Sequence, residues 1–135
     1  MEKLIKFTTH CKDLVLATVD ENNHPRVRIF HMMQIDEKNM YFATGKSKEV
    51  YKQLIDNAAV ELCGYEKGVM LRVEGKAIFD LNEEKCAEIY NNSPILQKIY
   101  KNAHNPELAY FRLEMKKAEL FDLTQIPPKR EFFSF

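Results

Sequence analysis

Residues Pro25 to Asn57, PRVRIFHMMQIDEKNMYFATGKSKEVYKQLIDN, hold the side chains best suited to chemistry. Arg26 and Arg28 are two positions apart, so on a strand they project from the same face. The planar arginine fork suits bidentate bonding to a phosphate or to ring carbonyl oxygens. Further on, Thr44-Gly45-Lys46-Ser47-Lys48 places a hydroxyl, a turn glycine and a lysine-flanked serine just ahead of a helical pattern. The free N–H groups at a helix start attract an anion, and the helix dipole adds to the attraction. Both halves point to a phosphate-bearing ligand. Each half also has a plainer reading. The arginines can be surface residues of a strand edge, and Ser47 can cap its own helix between solvated lysines. No Walker A pattern is present, so nucleotide triphosphate hydrolysis is not indicated.

Other chemistries find little support. None of His10, His24, His31 and His104 pairs with another ligand type at metal-binding spacing. His31 falls on an apolar strand face and reads as a core histidine. Cys11, Cys63 and Cys86 are far apart with no CxxC pair, and each is expected to pack as a small buried hydrophobe. No Ser-His-Asp or Cys-His arrangement and no pair of carboxylates placed for acid–base work is evident. No catalytic residue is assigned, and any catalysis is expected to belong to a cofactor that the protein orients and polarises.

The elements that must position these groups are legible as patterns. The chain has 135 residues, 45% hydrophobic and 30% charged, which predicts one domain over residues 1–135 with a real core. Lys plus Arg equals Asp plus Glu, at 20 each, which argues against nucleic acid as a partner. No signal-peptide layout and no uncharged apolar run near the roughly 18 residues of a membrane span is seen, so a cytoplasmic protein with no membrane partner is expected.

Leu4, Phe7, Thr8 and Cys11 at helical spacing predict a short amphipathic helix. Leu14 to Val19 predicts a strand covered on both faces. Pro25 to Ile35 predicts a second strand. Its odd positions, Val27, Ile29, His31, Met33 and Ile35, are expected in the core. Its other face, Arg26, Arg28, Phe30, Met32 and Gln34, wants cover from a ligand or a partner subunit. Met40 to Thr44 returns as a third strand, Ser47 to Asn57 reads as a helix, and Ala58 to Tyr65 as a strand. Val69 to Asp80 alternates with period 2 over a dozen residues, and Gly75 in its middle marks a bend or bulge. Asn82 and Ser93-Pro94 start two helices. Leu108 to Met115 and Ala118 to Leu123 read as two closing strands. The tail ends in PPKREFFSF, which either covers the barrel or reaches a partner's pocket. The order of elements predicts an antiparallel barrel with helical embellishments.

The segments LATVDENNHPRVRIF, MYFATGKSKEVYKQLIDNAAVEL and LRVEGKAIFD, in that order, resemble the pyridoxamine 5′-phosphate oxidase-like superfamily of FMN-binding split β-barrels. The nearest likeness is to its small bacterial oxidase-related and nitroimidazole-resistance-like members. The resemblance implies a mainly β (α+β) fold, a six-stranded antiparallel split barrel with flanking short helices. It also implies a homodimer with FMN at the interface. Arg26, Arg28 and the adjoining Ile29 match the flavin-contacting strand, with Ile29 where relatives often carry proline. Phe42, Ala43 and Thr44 match the strand end that meets the ring. Ser47 and Lys48 fall near the phosphate, with Lys46 and Lys52 as rival registers for the basic residue. The tail lacks the arginine- and histidine-rich segment of the true oxidases, so oxidation of pyridoxamine phosphate itself is not expected. The implied function is a flavoprotein oxidoreductase passing electrons from reduced nicotinamide to a small acceptor such as a nitro or quinone compound. The alternatives are a non-catalytic module that binds or senses flavin, haem or a deazaflavin, and a barrel dimer that binds no cofactor.

Overall fold

The computed structural model describes residues 1–135. Four helices and eight strands follow the chain. Helix α1 spans Glu2–His10 and buries Leu4, Phe7 and Thr8. Strand β1 (Asp13–Val19) pairs antiparallel with β2 (Pro25–His31) across the Asp20–His24 turn, with Leu14 opposite Phe30 and Leu16 opposite Arg28. Strands β3 (Gln34–Ile35) and β4 (Asn39–Gly45) form a short hairpin. Helix α2 (Glu49–Asp56), β5 (Ala59–Glu66) and β6 (Val69–Ile78) follow. Two short helices, α3 (Glu83–Asn91) and α4 (Pro94–Ile99), precede β7 (Leu108–Asp122) and β8 (Lys129–Ser134).

All strands belong to one sheet in the order β2-β1-β5-β6-β7-β4-β3, with β8 added to β7. The two ends of this path are consecutive in sequence. Met32 N–H donates to the Lys12 carbonyl at 2.7 Å, extending the β1 ladder, and Met33 N–H donates to the Tyr41 carbonyl at 2.9 Å, extending the β4 ladder. The chain crosses between those two residues from one end of the sheet to the other, and the sheet curls into a barrel.

The strand count of eight exceeds the expected six. The predicted strand Pro25 to Ile35 is split at this crossing into β2 and β3. The two predicted closing strands are one continuous β7. Gly75 pairs with Met115 and Glu74 with Lys117, so Lys116 is the extra residue of a bulge. The tail after Pro128 is itself a strand, β8. Phe133 packs against the core, whereas Phe132 is 70% exposed.

Facing residues of an antiparallel pair share one side of the sheet. Leu14, Leu16 and Thr18 of β1 are buried, so their partners Phe30, Arg28 and Arg26 take the barrel side. This corrects the expected assignment of β2. Phe30 and Met32 are in the core, while Val27 and Ile29 are 67% and 60% exposed. Phe30 meets Phe42 and Phe111 edge-on, with ring centroids 5.9 and 5.7 Å away, and Phe42 stacks on Phe111 at 5.4 Å. Burying one such ring is worth about 1.5–3 kcal/mol, so the larger side chains of β2 win the interior. His31 is likewise outside the core, with Nδ1 2.8 Å from Asp13 Oδ1. The three cysteines are free and half-buried rather than fully enclosed.

Candidate functional site

A cleft of about 230 Å3 opens where β2, β4, the start of α2 and helix α4 converge. Its polar wall is Arg28, His31, Thr44, Lys48 and Tyr100, and its apolar wall includes Ile29, Ala43, Val50, Ile95 and Ile99. No carboxylate lines it.

Arg28 is held from behind. Its Nη1 donates to Thr18 Oγ1 at 2.7 Å and to the Leu16 carbonyl at 3.3 Å, and its Nη2 donates to Gln53 Oε1 at 2.8 Å. Thr18 Oγ1–H in turn donates to Gln53 Oε1 at 2.5 Å. Every partner is neutral. The guanidinium keeps its Nε–H and one Nη2 hydrogen, and burial pulls its pKa below the ordinary arginine value. A half-buried cation with no acidic partner lowers its energy by meeting an anion.

Thr44 sits near the end of β4, 4% exposed. Its Oγ1 is buried and has no hydrogen-bond partner, although hydroxyls in that state are normally satisfied. It lines the cleft, so an incoming polar group would complete it. Beyond it, Lys48 is the N-cap residue of α2 and supplies no side-chain cap. Ser47 does not cap the helix either. Its backbone N–H donates to Glu107 Oε1 at 2.5 Å. Hydrogen bonding from Ser47, reinforced by the charges of Lys46 and Lys48, holds the Glu107 carboxyl below its usual range. Tyr100 is pushed up by burial and by Glu107.

The residues singled out in the sequence therefore divide. Arg28, Ile29, Ala43, Thr44 and Lys48 come together around the cleft. Arg26 turns away, its Nε donating to Asp20 Oδ2 at 3.0 Å, in a neighbouring polar groove. Lys52 lies in that groove too, 3.2 Å from Glu21. Phe42 is a core residue, 1% exposed. Lys46 and Ser47 belong to the turn beside the cleft rather than to its lining. Of the three rival lysines, only Lys48 faces the cleft. Sequence reasoning missed the Thr18–Gln53 clamp, Glu107 and the contribution of α4. The one available signal was Gln53, a polar residue on the helix stripe that also carries Val50 and Leu54, and it is buried with them.

The architecture defines a curled antiparallel barrel whose open side carries an acid-free, cation-lined cleft. The sequence profile described as "Pyridoxamine 5′-phosphate oxidase" matches residues 1–131, and the chain belongs to this family. No curated protein matches the chain. Among solved structures, a NimC/NimA family protein from Clostridium acetobutylicum is 26% identical with a TM-score of 0.81, covering 100% of this chain and 92% of its own. PhzG from Burkholderia lata 383 is 15% identical with a TM-score of 0.79, covering 99% and 84%. A pyridoxamine 5′-phosphate oxidase-related, FMN-binding protein from Nostoc punctiforme is 16% identical with a TM-score of 0.74, covering 98% and 88%. The last two likenesses are to the fold.

Proposed function

We propose that this chain is a single-domain FMN-binding protein that works as a homodimer and passes electrons from reduced nicotinamide to a small acceptor. The observation that carries the reading is Thr44 Oγ1, a buried hydroxyl without a partner, in one cleft with the acid-free Arg28 and Lys48. These residues fit a flavin phosphate ester. The hydroxyl offers a donor, the two cations offset the phosphate charge, and Ile29, Ala43 and Ile95 offer apolar cover to a ring. Membership of the family and the FMN-binding relative from Nostoc support the choice of cofactor.

Arg28 holds the phosphate or the electron-rich pyrimidine edge of the ring, where fixed positive charge favours the reduced flavin. Thr44 and the adjoining β4 backbone orient the ring. Lys48 and the first-turn amides of α2 hold the phosphate. FMN supplies hydride acceptance and release. No carboxylate lines the cleft, and the one imidazole on its wall, His31, is engaged by Asp13 at 2.8 Å, which leaves a flavin-binding or sensing module as the second reading. The deciding measurement is the visible spectrum of the purified protein, followed by reduced nicotinamide consumption. A flavin spectrum with FMN released on denaturation is expected, together with acceptor-dependent oxidation of reduced nicotinamide. A colourless protein that takes up no added FMN would falsify the cofactor assignment, and a yellow but inert one would select the sensing module.

A cleft of about 230 Å3 is small for a whole flavin, since small-molecule pockets run about 300–1,000 Å3. Exposed Ile29 on β2, with Ile95 and Ile99 of α4, forms an apolar rim at its mouth, and exposed Val27 continues the same face of β2. β2 pairs only with β1, so its outer edge is also open. A second copy of the chain would cover this rim and complete the pocket. Ile29→Glu should therefore convert a dimer to a monomer in sedimentation and lower FMN retention in parallel. A variant that stays dimeric and yellow rejects this face as the interface.

A further inference from the structure

The turn that leads into α2 already holds a carboxylate of the protein. Ser47 N–H, in the turn that leads into the helix, donates to the Glu107 side chain at 2.5 Å, and Lys46 N–H donates to the Glu107 backbone carbonyl at 2.8 Å. The carboxylate is tucked against the end of β4. A Cβ added to Gly45 would stand 2.9 Å from Glu107 Oε1 and 3.3 Å from the Tyr100 hydroxyl. Glycine at this position therefore leaves the space that the carboxylate occupies. Glu107 reaches this turn from the loop before β7, sixty positions along the chain. No side chain from the helix itself caps α2.

The same turn supplies Lys48 to the cleft, and Thr44 Oγ1 waits there without a partner. A phosphate drawn to Lys48 and Thr44 meets the negative charge of Glu107, which is held by the neighbouring turn residue Ser47. Like charges placed side by side in a binding site repel each other. We propose that Glu107 is a built-in stand-in for the ligand's phosphate. It satisfies the turn between β4 and α2 in the ligand-free chain and is displaced when a phosphate ester binds. The proposal rests on the flavin reading above. It adds a selecting role, because only a ligand carrying a dianionic phosphate gains the Ser47 amide and the lysine charges in exchange for the carboxylate. A flavin without phosphate leaves Glu107 where it is.

Glu107→Gln tests this with little change of shape, since its amide oxygen can still accept the Ser47 N–H. Affinities for FMN and for riboflavin are measured by flavin fluorescence quenching in the wild-type protein, in Glu107→Gln and in Glu107→Ala. Removing the charge should tighten FMN binding by about tenfold and leave riboflavin binding unchanged. Thermal midpoints give a second readout. The variants should melt lower than wild type without ligand and show a larger upward shift with FMN. A carboxylate that serves only to cap the turn predicts something else, namely an unchanged ratio of FMN to riboflavin affinity and an unchanged thermal shift. Either result, or weaker FMN binding in both variants, overturns the proposal while leaving the flavin site standing. Failure of wild type and variants alike to bind either flavin overturns the flavin reading, and the proposal with it.

Discussion

Replacing Arg28 with alanine should weaken FMN binding by more than about tenfold, since hydrogen bonds to charged groups contribute about 1.5–3 kcal/mol. The expectation follows from how the guanidinium is held. Thr18, Gln53 and the Leu16 carbonyl fix it from the barrel side and are all neutral, so its charge is available to a ligand. Its loss is tolerable for the fold, because Thr18 Oγ1–H still donates to Gln53 Oε1. Arg28→Lys separates charge from shape. It keeps the cation but loses the fork, so it should recover part of the affinity and not all of it. Fluorescence titration with FMN reads the affinity, and thermal melting of the ligand-free variants checks that the barrel is intact. Full FMN affinity in a folded Arg28→Ala protein would remove Arg28 from the site.

The fold was most legible where one face of a strand is unambiguous. In β6, Leu71, Val73 and Ala77 alternate with Arg72, Glu74 and Lys76, and burial follows that alternation residue by residue. In β2 both faces carry large apolar residues, so alternation alone could not say which side is inside. That choice is made by β1, through the register Leu14 to Phe30 and Leu16 to Arg28, and register is a long-range property. The same reason hid β8. Lys129 to Ser134 has no strong pattern of its own and becomes a strand because β7 offers it an open edge past the bulge.

The site was legible in halves. The strand arginines and the Thr44–Lys48 turn are local patterns, and the structure brings Arg28, Thr44 and Lys48 to one cleft. Which arginine faces that cleft was not readable, because Arg26 and Arg28 share a strand face and differ only in their neighbours. Arg26 meets Asp20 in the turn, and Arg28 meets Thr18 and Gln53 in the barrel. Glu107 lies in a polar loop where no spacing rule connects it to Ser47. Helix α4 showed as a short helix with a proline start, and nothing local in it revealed that Ile95, Ile99 and the following Tyr100 would wall a pocket.

Gly75→Ala should cost about 3 kcal/mol of stability, near the top of the range for overpacking a tight site. The position has no need of an unusual φ. What it needs is room, because an added Cβ would press on the backbone carbonyl oxygen of Glu114 and come within 2.6 Å of Leu113 Cδ2. A carbonyl in a strand ladder cannot rotate away as a side chain can. The bulge of Lys116 against Glu74 and Gly75 is where β6 and β7 bend together. The strain would fall where β7 passes from β4 on one side of the bulge to β8 on the other. Gly64→Ala is the matched control. Its Cβ would meet only side-chain atoms, Leu14 Cδ2 at 2.7 Å and Cys11 Sγ at 3.2 Å, and these can shift. Chemical denaturation of the two variants should place Gly75→Ala well below Gly64→Ala. Because β7 carries β4, and β4 carries Thr44, flavin retention should fall with the barrel in the same titration. A Gly75→Ala protein within about 0.5 kcal/mol of wild type, the scatter of ordinary surface substitutions, would show that the bend does not depend on the missing side chain.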